Sequence, residues 1–304
     1  MTHAVVKAQP QLTGLGPPWE AGVLRTLQAR FADAGITLLG LEGDPFDMSR
    51  IKRGEPGRDE DFDRYRQMLG HMGELGLKLL CYNFMLRPKT AEHDWHRTDV
   101  SVPLRGGSLT TRFELTKLPV ADELELSHDE LWSNYQAFLK AVLPAAEQAD
   151  VTLALHPDDP PLPQLGSVPR LFGSVEAFDR AYQLAPSRHN AVTFCQANFK
   201  LMGCDLEATV RRFAEQGRLA FVHVRDVEGS ADAFTETWHD EGPTDMPAML
   251  KLYHDVGFAG PLRDDHVPTM HGENPDIPGY ASLGHLFAVG YLKGIFQTHR
   301  TPYT

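Results

Sequence analysis

The chain has 304 residues, 42% hydrophobic and 23% charged, with a formal net charge of −12. That composition supplies ample material for a core and excludes nucleic-acid or anionic-membrane binding through a general basic surface. Cys81, Cys195 and Cys204 form an odd set without disulfide-framework spacing, so a reducing, cytoplasmic setting is expected. The first residues carry no basic segment followed by an apolar run, and no apolar run approaches the roughly 18 residues of a membrane helix.

Along the chain, short apolar runs alternate with amphipathic segments. Strands are predicted at 4–8, 36–41, 77–83, 151–156, 191–195, 219–223 and 260–265. Most are continuous apolar runs, as in strands buried on both faces of a parallel sheet. Gly35, Gly76, Gly217 and Gly257 each separate an amphipathic segment from the next apolar run, which reads as helix stop and strand start. Phe62, Tyr65, Met68, Leu69 and Met72 make one helical stripe. A capping box at Ser127–Glu130 opens another, with Leu131, Tyr135, Phe138, Leu139, Val142 and Ala146 on its apolar face, and Val210, Phe213 and Ala214 make a shorter one. Residues 101–104 and 109–113, joined across Arg105-Gly106-Gly107-Ser108, predict a β-hairpin inserted at about 100–114.

Serial βα units without a glycine-rich phosphate loop favour a TIM-type (β/α) barrel over an open nucleotide-binding sheet. The strand count is seven, one short of a full barrel, and residues 1–304 read as one domain. His156 ends one strand, Cys195 the next, His223 the next, and Asp264-Asp265-His266 the last. A parallel barrel gathers such ends on one face, where two imidazoles, a thiol and a carboxylate could converge on a divalent ion. The donor set suits Mn²⁺, Zn²⁺, Fe²⁺ or Co²⁺ better than Ca²⁺ or Mg²⁺. Taken singly, each residue also reads as ordinary core. A cysteine hydrolase built on Cys195 would need an oxyanion hole, for which only 196–198 offers a donor.

His156-Pro157-Asp158-Asp159-Pro160-Pro161, Cys81-Tyr82-Asn83-Phe84-Met85, Asp94-Trp95-His96-Arg97-Thr98-Asp99, Arg263-Asp264-Asp265-His266 and Pro278-Gly279-Tyr280 together resemble the mannonate dehydratase family. The motifs run in the family's order from about Ile36 to the carboxyl terminus. The resemblance implies a xylose-isomerase-like barrel that dehydrates a hexonate to a 2-keto-3-deoxy sugar acid. It implies a Mn²⁺-like ion on His156, Cys195, His223 and Asp265, and acid/base roles for His266 and Tyr280. Asn83, Arg97, Asp158 and Arg225 fall toward the sugar acid, with Arg97 and Arg225 candidates for its carboxylate, although the arginines also read as structural and Asp158 and Asp159 as substrate-hydroxyl contacts or turn residues. The expected partner is a small sugar acid, and association of copies is left open.

Two stretches depart from the family pattern. Gln196-Ala197-Asn198-Phe199-Lys200 stands where the family has Thr-Gly-Ser after the cysteine, and Gly43-Asp44-Pro45-Phe46-Asp47 stands where it has Val-His-Glu. The loop after Cys195 is therefore the expected seat of any change in substrate. A related barrel isomerase, epimerase or lyase acting on another sugar is the alternative reading, and a binding barrel without catalysis the second.

Overall fold

The computed structural model describes residues 2–89, 96–118, 123–274 and 278–298; Asp94 and Trp95 of the motifs above lie outside them. In chain order the strands are β1 (His3–Val6), β2 (Thr37–Glu42), β3 (Leu79–Tyr82), β4 (Asp99–Pro103), β5 (Leu109–Glu114), β6 (Thr152–Leu155), β7 (Gln164–Leu165), β8 (Val168–Pro169), β9 (Asn190–Cys195), β10 (Leu219–His223), β11 (Val227–Ser230), β12 (Ala233–Glu236) and β13 (Leu262–Arg263). Strands β1, β2, β3, β6, β9, β10 and β13 pair in parallel in that spatial order and curl as the wall of a TIM-type barrel. All seven fall on predicted runs.

Strand alternation sorts the side chains. Leu80, Tyr82, Leu153, Leu155 and Val222 join the large outer core beneath the helices. Leu79, Cys81, Ala154 and Phe221 meet in a small separate cluster, the packed barrel interior. Gly40 belongs to this inner set: a Cβ there would overlap the Leu79 carbonyl oxygen, so only glycine lets β2 approach β3. The Thr193 hydroxyl closes the layer by donating to the Ala154 carbonyl at 3.1 Å.

The helices supply the outer wall by the expected stripes. Arg58–Glu74 buries Phe62, Tyr65, Met68, Leu69 and Met72, and His128–Ala149 buries Leu131, Tyr135, Phe138, Leu139, Val142 and Ala146. The latter begins with the capping box: Glu130 N–H donates to the Ser127 hydroxyl at 3.2 Å and Ser127 N–H to the Glu130 carboxylate at 2.7 Å. Such a cap contributes about 1 kcal/mol. No helix among the described residues is long and apolar enough to cross a membrane.

The predicted hairpin is β4–β5, but it does not stand alone. A second hairpin, β11–β12, adds to it in the order β11-β12-β5-β4, and Phe113 stacks on Phe234 with centroids 5.6 Å apart. The second hairpin, with glycine, serine and charged residues along 227–236, has too little apolar alternation to be read from sequence.

Candidate active site

In six of the seven barrel strands, an inward residue is followed two positions on, at the carboxyl end, by a polar residue or cysteine. The pairs are Gly40 and Glu42, Cys81 and Asn83, Ala154 and His156, Thr193 and Cys195, Phe221 and His223, Arg263 and Asp265. Period-two alternation brings these ends to one mouth, which opens into a cavity of about 710 Å³. Donor atoms of His156, Cys195, His223 and Asp265 all lie within 4.8 Å of one another. Asp265 reaches this set with φ +58°, a left-handed backbone that aspartate tolerates better than most residues but still at a cost of about 1 kcal/mol.

These four side chains are poorly partnered by protein. Both ring nitrogens of buried His223 lack a hydrogen bond, with Nδ1 3.6 Å from Asp265 and Nε2 3.8 Å from Glu42. Burial pushes His223 down to about 4, against the pull of Asp265 and Glu42, so at neutral pH it is uncharged and one of its two nitrogens offers a lone pair. His156 is also lowered by burial. Its Nδ1 lies 2.7 Å from the Pro157 carbonyl, and a hydrogen held there leaves Nε2 as the free donor. Burial raises the Cys195 thiol despite Arg225; a cation would reverse that. Burial also works to raise Asp265, but His266, His223, Arg225 and Arg263 outweigh it and hold the carboxyl far below its usual range. Two orphaned ring nitrogens, an inward thiol and an ionised carboxylate fit a divalent ion.

Beside this set, His266 Nε2 is 2.9 Å from the Tyr280 hydroxyl. His266 Nδ1 is 3.0 Å from Glu236 Oε1. Arg97 Nη2 also lies 3.2 Å from Nδ1, but the shorter carboxylate contact, which can only accept, favours a hydrogen on Nδ1 and with it Nε2 as the acceptor from tyrosine. Burial and the neighbouring Asp265 raise Tyr280 well above its ordinary value, keeping the phenol protonated. Glu236, at the end of β12, also accepts from Arg225 Nε at 2.8 Å and from Arg97 Nη2 at 2.5 Å. Asp159 accepts from the same two guanidiniums, at 3.0 Å from Arg225 and 3.1 Å from Arg97. Burial works to raise Glu236, but the two arginines hold it at about 2. The four groups form a neutral, buried network.

The other sequence-predicted residues divide by position. Asn83 and Arg97 line the cavity, Arg97 from within the network. Arg225 and Asp158 are not among its described lining: Arg225 is 1% exposed, and Asp158 accepts from Phe172 N–H at 2.6 Å and from Arg170. The loop after Cys195 is a buried helix, Gln196–Leu201, and does not line the cavity either. Gln196 accepts from the Tyr253 hydroxyl at 3.1 Å, Asn198 donates to Cys195 Sγ at 3.4 Å, and Lys200 pairs with Asp226 at 2.7 Å. The expectation that this stretch reshapes the substrate pocket is thus corrected; it braces the thiol from behind. The other departure does reach the ligand space. Gly43 lines the main cavity, and Asp44 and Asp47 line an adjoining one of about 300 Å³ that shares Asn83, Met85, Arg87 and His96 with it.

Glu42, Glu236 and Lys7 stand at or beside the cavity and are not singled out by sequence reasoning, which reads Asp159 only as a substrate-hydroxyl contact or turn residue and not as a partner of Arg97 and Arg225. Glu42 ends β2 as His223 ends β10, and this parity was a signal available for it. Its ion pair with Arg263 spans the barrel mouth.

The sequence profile of the D-mannonate dehydratase (UxuA) family matches residues 3–128 and 120–303, which carries the resemblance back from Ile36 to the first strand. Mannonate dehydratase of Streptococcus pneumoniae (strain 70585) is 31% identical over 338 aligned residues, covering 98% of this chain and 90% of that one. Mannonate dehydratase 2 of Halalkalibacterium halodurans is 31% identical over 313, covering 93% and 88%. The crystal structure of mannonate dehydratase from Streptococcus suis serotype 2 superposes with a TM-score of 0.84 at 29% identity, over 100% of this chain and 89% of that one. A D-tagatose 3-epimerase-like protein, at 12% identity and a TM-score of 0.57, shares the fold. With its profile matched nearly end to end, the chain belongs to the D-mannonate dehydratase family, an enzyme family of hydro-lyases.

Proposed function

We propose that the protein dehydrates a hexonate, D-mannonate in the first instance, to a 2-keto-3-deoxy sugar acid. His156, Cys195, His223 and Asp265 would hold the divalent ion, with Mn²⁺ the first choice and Fe²⁺, Co²⁺ or Zn²⁺ compatible with the same donors. A bound ion supplies Lewis-acid stabilisation of the negative charge that builds on the substrate's carboxylate side. The observation that carries the reading is the hydrogen-bonded His266–Tyr280 pair, 2.9 Å apart, beside four converging donors.

The reaction takes a proton from C2, breaks the C3–O bond and returns a proton to the departing oxygen, so that water leaves and the enol relaxes to the ketone. It needs one base and one acid. His266 Nε2 and the Tyr280 hydroxyl both lie at the cavity and share one proton between them, so they can divide the roles. Glu236 keeps the His266 hydrogen on Nδ1. The Arg97–Arg225–Asp159–Glu236 network anchors that carboxylate. The reading needs Cys195 as a free thiol, in keeping with a cytoplasmic setting. Incubating Mn²⁺-loaded protein with D-mannonate and its C2 and C3 epimers, with assay for 2-keto-3-deoxy acid, tests it. Product from one hexonate supports the reading; none from the panel at full metal occupancy refutes it.

A further inference from the structure

Resting on that reading, we propose that Lys7, at the end of β1, is the residue that binds the substrate's carboxylate and selects a sugar acid over a neutral sugar. A charge balance of the cavity wall leads there. Among the described lining residues, Glu42 is taken up by Arg263. Arg97 and Asp159 are taken up in the network with Arg225 and Glu236, two cations against two anions. Arg97 and Arg225 therefore have no spare charge for a ligand. Asp265 belongs to the proposed metal donors. That leaves Lys7 and Arg87, neither with a carboxylate oxygen within 4.0 Å among the described residues.

The two are placed differently. Arg87 is exposed on the segment after β3. Lys7 is half-buried, with its stem against Gly43 and its Nζ 4.8 Å from the centre of the Tyr280 ring. Tyr280 must work at C2 or C3, and the carboxylate carbon is one bond from C2. A cation beside Tyr280 is thus within reach of the carboxylate. Glu42 feels the Lys7 charge but is itself paired with Arg263. In a protein of net charge −12, a partly buried ammonium with no close carboxylate of its own among the described residues is therefore costly to keep facing a cavity. An anionic ligand supplies the missing partner, and a charge-assisted hydrogen bond there discriminates strongly against a neutral analogue.

The test compares binding of D-mannonate with that of its uncharged amide, by calorimetry on Mn²⁺-loaded protein in which Tyr280→Phe blocks turnover, alone and combined with Lys7→Met, Lys7→Arg or Arg87→Gln. Metal content and thermal unfolding are checked for each. Lys7→Met is expected to weaken mannonate binding roughly 10- to 100-fold and to leave amide binding unchanged. Lys7→Arg should recover most of the loss, and Arg87→Gln should keep the parent preference for the acid. Equal losses for acid and amide in Lys7→Met, or a selective loss in Arg87→Gln instead, would overturn the assignment. The two readings fail separately. Lys7-dependent preference without any dehydration by wild type sinks the dehydratase reading alone, whereas wild-type dehydration with the preference intact in Lys7→Met sinks this one alone.

Discussion

Two polar clusters share the cavity, and they are built in opposite ways. The arginine–carboxylate cluster is saturated: Arg97, Arg225, Asp159 and Glu236 satisfy one another at 2.5–3.1 Å. The donor cluster is left open, with both His223 nitrogens unpartnered and Cys195 receiving only long contacts, 3.4 Å from Asn198 and 3.8 Å from Arg225. A buried polar group without a partner costs about 1–3 kcal/mol, so an unsatisfied cluster beside a satisfied one marks the place where a ligand belongs. The first cluster is closed on itself, and the second has positions open to a ligand.

The sharpest way to break this contrast is to remove a donor. His223→Ala or Asp265→Ala should lower metal affinity by more than about 100-fold and abolish turnover, read by elemental analysis after dialysis and by product assay. Retained metal in both variants would move the ion elsewhere. Tyr280→Phe should keep one equivalent of metal and reduce kcat by about 10²- to 10⁴-fold; near-normal kcat would take the phenol out of the proton transfer.

Removing a member of the saturated cluster should act first on stability. Glu236→Gln leaves two buried guanidiniums with one carboxylate, and a loss of about 3–5 kcal/mol is expected in urea unfolding at pH 7. The sign of its pH dependence follows from the folded value of about 2 against an ordinary 4.5. The Glu236 charge stabilises above pH 4.5, and this contribution disappears as pH falls toward 2. The gap between wild type and Glu236→Gln should therefore narrow on acidification; a gap that widens would contradict the pairing. The smallest effect on catalysis is expected at Lys200→Met. Its ion pair with Asp226 lies behind the thiol, so stability should fall by about 1–3 kcal/mol while KM for the hexonate stays unchanged. A raised KM would bring the stretch after Cys195 back to the pocket.

The same contrast explains what sequence could reveal. The donors were legible because each ends a continuous apolar run, so His156, Cys195, His223 and Asp265 could be placed on one face before any coordinates. The hairpin β4–β5 was legible from its alternation and its Arg105-Gly106-Gly107-Ser108 turn. The saturated cluster was not, because it is assembled across 139 positions from Arg97 to Glu236 by pairing of β5 with β12, and β12 has almost no strand pattern of its own. Arg97 and Arg225 could be named but not their neutralisation, since a counter-ion is set by tertiary pairing. The departure after Cys195 misled for a related reason: a motif difference tells where a chain differs, not which way the side chains point. There the helix Gln196–Leu201 turns them into the core.

The claim on which the rest depends is that Cys195, at the end of β9, joins the strand-end histidines and Asp265 around one ion. Titrating metal-stripped protein with Co²⁺ and recording the near-ultraviolet spectrum addresses it directly, because thiolate-to-cobalt charge transfer absorbs there. One equivalent should produce the band, and Cys195→Ser should lose it while remaining folded. No band at full cobalt occupancy, or an undiminished band in Cys195→Ser, would contradict the assignment.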